Sequence, residues 1–260
     1  MRLSSMERTQ DRIVNRLPPW SMPVRAEQGT LSITFDDFPR SAWLAGGPIL
    51  ARFGARATYY LSGGFCGIVQ NDVAFYSAQD VTELVAAGHE LGCHTFDHHS
   101  TFKVDLGTYL ASVRRNAAFV ETILPGYRLC SHAYPYGHVR ASHRRALTPL
   151  FDGLRGVRGP RDVARYTPKM LRAAGLEQWQ SGRIDWPGLI VDTARRRGWL
   201  IAYSHGVTDQ PSPFDARPED LERVLDLAAK EGLRFATVGE TLRQLTSGLH
   251  SAETSAASSR

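Results

Sequence analysis

Two groups of titratable side chains in this chain have types and spacings that could do chemistry. The first is the adjacent acid pair Asp36-Asp37, which closes the run Leu31-Ser32-Ile33-Thr34-Phe35. The second is His94-Thr95-Phe96-Asp97-His98. Neighbouring side chains on an extended backbone point to opposite faces, so the two acids can share a centre only where a strand runs out into a loop. There one carboxylate could bind a cation while the other stays ionised beside it and acts as a base. Histidines at i and i+4 reach one point if their segment turns helically, which is the geometry a metal needs. Each signal is weak alone, since acid pairs occupy solvated turns and such histidine spacings arise incidentally. Combined, they form a two-His-one-carboxylate set suited to zinc or another divalent ion, with positions left for water. His99 points elsewhere on the same geometry, and His89 belongs to the preceding strand.

The elements that must position these groups alternate. Leu31, Ile33 and Phe35 alternate with Ser32 and Thr34, the period of a strand with one apolar face. Further strands are expected at Ala57–Leu61, His89–Cys93, Trp199–Tyr203 and Phe235–Val238. Helices are expected from Ala78 to Ala86, over 105–124, near 139–150, around Asp192–Arg197, at Pro218–Lys230 and at Glu240–Leu245. Tyr127–Tyr134 reads as an apolar entry, and 151–183 as a looser basic region. Strands alternating with helices predict parallel βα units, and Asp36, Asp37, His94 and His205 all fall just after strands. That is where sites lie in α/β barrels. One domain is expected over 25–246, preceded by a polar extension at 1–24 with at most one short helix. The Ser/Ala-rich tail at 247–260 is expected to be disordered.

Composition fits a globular enzyme-sized domain of 260 residues, 42% hydrophobic and 22% charged. The 31 basic and 26 acidic residues leave a net charge of +5, and the densest run, Arg195-Arg196-Arg197, reads as a solvated helix face. No nucleic-acid motif accompanies it. Cys66, Cys93 and Cys130 are odd in number and lack CxxC spacing, which predicts reduced thiols. Residues 1–30 hold no apolar run of signal-peptide length, and no stretch reaches membrane-spanning length, so a cytoplasmic location is expected.

In order from Thr34 to Leu245, the sequence resembles the polysaccharide deacetylases, carbohydrate esterases built on the NodB-homology domain. Three segments carry the resemblance. They are Thr34-Phe35-Asp36-Asp37, then His94–His98 preceded by Ala87-Gly88-His89-Glu90-Leu91-Gly92, and in part Tyr134-Pro135-Tyr136-Gly137. The resemblance implies an α/β fold, a distorted (β/α) barrel of about seven parallel strands. It implies that Asp37, His94 and His98 hold a divalent metal, zinc first, with cobalt, nickel or manganese as alternatives. Asp36 would be the general base toward water, and the Tyr136 backbone N–H would serve the oxyanion. His205, in Ile201-Ala202-Tyr203-Ser204-His205, would protonate the leaving amine. Asp185, in Asp185-Trp186, matches the carboxylate that tunes that histidine.

The implied substrate is the N-acetyl group of a sugar or glycan. A small amide or imide, an O-acetyl ester, and a non-catalytic glycan-binding role are the alternatives. The last is prompted by Ala133, which stands beside His132 where many relatives carry an arginine that orients the base. Some relatives with a Tyr-Pro-Tyr-Gly motif also lack it, and Arg158 is the candidate to reach in instead. Trp20, Trp43, Trp179 and Trp186 could stack on a sugar face, although core packing is the commoner role.

Overall fold

The computed structural model describes residues 3–16, 20–178 and 182–257. Its frame is a parallel sheet, with strands β1 (Thr30–Asp37), β2 (Ala57–Leu61), β3 (Glu90–Cys93), β4 (Ser131–Ala133) and β5 (Gly153–Gly156). The frame continues through β6 (Leu171–Arg172), β7 (Ala174–Gly175) and β8 (Trp199–Ser204), and β9 (Arg234–Phe235) pairs with the start of β1. The hydrogen-bonded order is β6-β5-β4-β3-β2-β1-β8-β7. The two outermost pieces, β6 and β7, are separated only by Ala173. One extended segment therefore joins both edges, and the sheet is a nearly closed barrel of eight strands. A barrel of about seven was expected, and the extra strand arises because that segment is split in two.

The alternation in β1 marks a strand buried on both faces rather than on one. Leu31, Ile33 and Phe35 are at most 1% exposed and join the cluster formed with Leu50, Val81, Leu221 and Val224 of the surrounding helices. Ser32 and Thr34 are equally buried on the other side. There Ser32 Oγ accepts the Trp199 indole N–H at 2.9 Å, and Thr34 Oγ1 donates to the Ala202 carbonyl at 2.9 Å. Asp36 has the parity of Ser32 and Thr34, so the strand delivers its carboxylate to the polar face.

The helices are α1 (Ser5–Arg16), α2 (Arg40–Leu44), α3 (Gly46–Arg52), α4 (Ala78–Ala86), α5 (Leu106–Ile123), α6 (Ala141–Leu147), α7 (Trp186–Arg195), α8 (Pro218–Lys230) and α9 (Val238–Ala257). α4 opens on a capping box between Ser77 and Asp80, and α5 on Asp105, which accepts the Thr108 N–H at 3.0 Å. α7 starts before the expected Asp192 because Asp185 caps it and Pro187 suits its first turn.

Three expectations are corrected. First, α1 is part of the domain: its Asp11 is 6% exposed and accepts the Val139 N–H at 3.0 Å, while Arg144 donates to the Val14 carbonyl at 3.2 Å. Second, the basic region after residue 150 holds β5, β6 and β7, whose few residues each are too short to show a period. Third, residues 247–257 continue α9 as helix, where disorder was expected, and 258–260 lie outside the described residues. The three cysteines are free. Among the described residues, no helix is long and apolar enough to cross a membrane. Trp186 is fully buried, Trp43 lies 5.5 Å from the His89 ring, and Trp179 falls outside the described residues.

Candidate active site

The carboxyl ends of β1, β3, β4 and β8 surround a cleft of about 210 Å³ that Asp36, Asp37, His94, His98, Tyr136 and His205 all line. β1 solves the problem of two adjacent acids by leaving extended geometry at its last residue. Asp37 and Phe38 both take left-handed backbone angles, φ 61°, and the Phe38 N–H turns back to the Asp36 carbonyl at 2.6 Å. Such conformations are strained for residues other than glycine and gather where the surroundings enforce them.

The two histidines converge by a loop and not by the helical turn that their spacing suggested. Residues 94–100 carry no helix, and Thr95 and His98 adopt φ values of 63° and 52°. Ser112 of α5 fixes this loop: its Oγ accepts the N–H groups of Phe96 and Asp97 at 3.1 and 3.0 Å and donates to the Asp97 carboxylate at 2.8 Å. Asp97 thus anchors the loop, with Arg115 on its other oxygen at 3.2 Å. His99 is outside the set, and His89 Nδ1 accepts the Ala57 N–H at 3.0 Å far down the barrel.

Asp37 Oδ1 stands 3.2 Å from His94 Nε2 and 3.0 Å from His98 Nε2, and the three ligand atoms lie within 4.8 Å of one another. His94 Nδ1 is 2.8 Å from the Ala133 carbonyl. A carbonyl can only accept, so Nδ1 carries the proton and a neutral His94 turns the lone pair of Nε2 toward Asp37. Asp37 Oδ1 is buried and has no hydrogen-bond partner. Two imidazole nitrogens and a carboxylate oxygen meeting at one point fit a divalent metal. Both imidazoles must be neutral to offer ring lone pairs to such an ion. His98 itself is pushed down, by burial first.

Asp36 lies 3% exposed beside this set, and its partner is one the sequence did not point to. The guanidinium of Arg155, fully buried at the end of β5, donates from Nη2 to Asp36 Oδ1. Arg155 is sandwiched near the rings of Tyr60 and Tyr203, at 4.9 and 5.5 Å from their centroids. Burial works against its charge, but Asp36 outweighs that and raises its pKa. In the β4–β5 pairing, Arg155 is the register partner of Ala133. The guanidinium expected at 133 therefore enters at the same depth from the neighbouring strand. Arg158, the expected substitute, pairs with Asp11 at 2.6 Å instead. The signal for Arg155 in the sequence was one arginine within Gly153-Leu154-Arg155-Gly156, too short a run to read as a strand.

His205 follows β8. Its Nε2 faces the metal set, 4.0 Å from Asp37 Oδ2, and its Nδ1 lies 3.1 Å from the Phe214 carbonyl. Phe214 is presented by a loop that Asp215 ties down, its carboxylate accepting the Gly206 and Ser212 N–H groups at 2.7 and 3.0 Å. Asp185 does not reach this histidine. It is exposed, and its carboxylate accepts the Gly188 N–H at 3.0 Å as the cap of α7. The carbonyl of Phe214 occupies the place expected for a tuning carboxylate. Tyr136 projects at the rim, 46% exposed, with φ 62° and its ring 4.6 Å from that of His98. Next to it Gly137 has φ 65°, and a Cβ there would run into Val157, so this turn admits only glycine.

The polysaccharide deacetylase family model matches residues 24–150. That span contains Asp36, Asp37, His94, His98 and Tyr136, and ends before Arg155 and His205. No curated protein sequence matches the chain. Solved structures with the same fold include a peptidoglycan deacetylase from Bacillus subtilis. It is 17% identical, with a TM-score of 0.53, covering 88% of this chain and 96% of that one. A family 4 carbohydrate esterase from Streptomyces lividans in complex with acetate is 19% identical, TM-score 0.55, covering 80% and 92%. A pseudoenzyme of the same esterase family from Bacillus anthracis is 13% identical, TM-score 0.56, covering 84% and 66%. Over residues 24–150 this chain is thus similar to the polysaccharide deacetylase family, and its barrel has the fold of these solved structures.

Proposed function

We propose that the protein is a metal-dependent hydrolase that removes acetyl groups from the nitrogen of acetylated sugars. The observation that carries this reading is the meeting of Asp37, His94 and His98 at one point with Asp36, locked by Arg155, beside them. A divalent ion held by Asp37, His94 and His98, zinc being the best match to two imidazoles and a carboxylate, would supply Lewis acidity toward water and the acetyl carbonyl.

The chain's own groups divide the remaining work. Arg155 orients Asp36, so its carboxylate takes the proton of the attacking water. The Tyr136 N–H, in a turn held open by Gly137, serves the oxygen that becomes negative as water adds to the carbonyl. Hydrolysis then breaks the C–N bond, and an amine cannot leave as an anion. His205 in its imidazolium form, anchored through Nδ1–H on the Phe214 carbonyl, gives its Nε2 proton to that nitrogen. The products are acetate and the free amine. Exposed Tyr136 and Phe214, 46% and 62% exposed, flank the cleft as faces on which a sugar can stack. Ala133 was the ground for a non-catalytic reading, and Arg155 supplies the guanidinium whose absence suggested it. Acetate release from an N-acetylated chitooligosaccharide panel, with and without chelator, tests the proposal. Metal-dependent release is expected. No release from sugars, esters or amides in the presence of zinc, cobalt, nickel or manganese would overturn it.

A further inference from the structure

Beside the catalytic cleft lies a second hollow of about 520 Å³, and the two share Tyr136, Gly137, Val157 and Tyr203 as a common wall. Its far side is built by α1, the helix that the sequence suggested was a mere extension, and Arg8, Arg12 and Arg158 line it. Asp11 is the one carboxylate among its lining residues, and it is spent internally. It is buried and takes Arg158 at 2.6 Å, the Val139 N–H at 3.0 Å and the Asn15 amide at 3.0 Å. The other acid of α1, Glu7, faces Lys103 at 3.4 Å. Arg8 and Arg12 have no acidic partner among the described residues. Two guanidinium groups thus border a hollow that shares a wall with the cleft, and their forked donors match a carboxylate or phosphate in geometry as well as charge.

We infer that this hollow is a subsite for an anionic substituent, a carboxylate or phosphate, carried by the part of the glycan beyond the acetylated sugar. The inference rests on the deacetylase reading and specifies its substrate as an acidic glycan. Both arginines are exposed, so solvent screens them and the preference is modest, about 5-fold.

The test compares kcat/KM for a neutral chitooligosaccharide, a hyaluronan oligosaccharide carrying carboxylates, and a phosphorylated chitooligosaccharide. Each is run with the wild type and with the double variant Arg8→Glu, Arg12→Glu, at low salt and at 0.5 M salt. The expected result is faster turnover of one acidic substrate, with the two acidic arms telling carboxylate from phosphate. That preference should vanish in the double variant and in high salt, while the rate on the neutral substrate stays the same. Equal rates on all three wild-type arms, or a preference that survives both charge reversals, overturns the subsite and leaves the deacetylase reading intact. If none is turned over, the deacetylase reading fails by itself, and calorimetric binding of the same three probes decides the subsite. Acidic binding lost in the double variant supports it, and equal or absent binding refutes it.

Discussion

The buried guanidinium of Arg155 meets the carboxylate of Asp36 from the strand position that is the register partner of Ala133. A charged pair withdrawn from water this completely is worth little as a brace but is damaging to break, because one partner is left as an uncompensated charge. Arg155→Ala should therefore lose most turnover and lower stability by about 3–5 kcal/mol. Combining it with Ala133→Arg, which returns the guanidinium to the neighbouring strand at the same depth, should restore part of both. Acetate release and urea melts of the single and double variants would check this. A double variant no better than Arg155→Ala would show that register alone does not place the group.

The metal set and the base should separate cleanly. His94→Ala and His98→Ala should each abolish tight zinc binding by calorimetry, since each supplies one imidazole next to Asp37 Oδ1. Asp36→Asn should keep the zinc and lose about 10²–10⁴-fold in rate, the usual range for a general base. An Asp36→Asn protein with full activity would remove Asp36 from its role.

His205 should matter in proportion to how badly the leaving group needs a proton. His205→Gln is expected to lower N-acetyl hydrolysis by about 10²–10⁴-fold. It should leave hydrolysis of an activated aryl acetate, whose phenolate departs unaided, within a few-fold of wild type. Parallel losses on both substrates would make His205 a structural or binding residue.

Acid should weaken the fold through a histidine far from the cleft. His89 is buried, its Nδ1 holds the Ala57 N–H at 3.0 Å, and burial followed by the charge of Arg56 lowers its pKa from 6.5 to about 4. Between those values the unfolded chain binds a proton that the folded chain excludes. Stability from this residue is thus complete above pH 6.5 and drains as pH falls toward 4, by about 2 kcal/mol at pH 5. His89→Gln, which keeps an acceptor but cannot charge, should flatten the loss between pH 7 and pH 5 in urea midpoints.

The sequence was informative where one element reports on itself. Ala57–Leu61 and Pro218–Lys230 have the bounds expected from their patterns, and α5 falls within one residue at each end. The acid pair and the histidine pair were legible for the same reason, as residue types at fixed short spacing. The parts that escaped are those that depend on a neighbour. β5, β6 and β7 have four, two and two residues, so hydrogen bonding to adjacent strands and not periodicity makes them strands. Asp185 beside a tryptophan looked like a tuning acid, and nothing local distinguishes that from a helix cap.

By itself, then, the sequence determined the parallel βα order, the family resemblance and which imidazoles and acids are available for a metal, because these rest on residue type and local period. Only the tertiary structure decided that Arg155 rather than Arg158 holds Asp36, that a carbonyl rather than Asp185 anchors His205, and that α1 walls the hollow beside the cleft. Each of those is a contact between residues 9 to 147 positions apart. Such contacts are set by strand register and barrel closure, which no window along the chain contains.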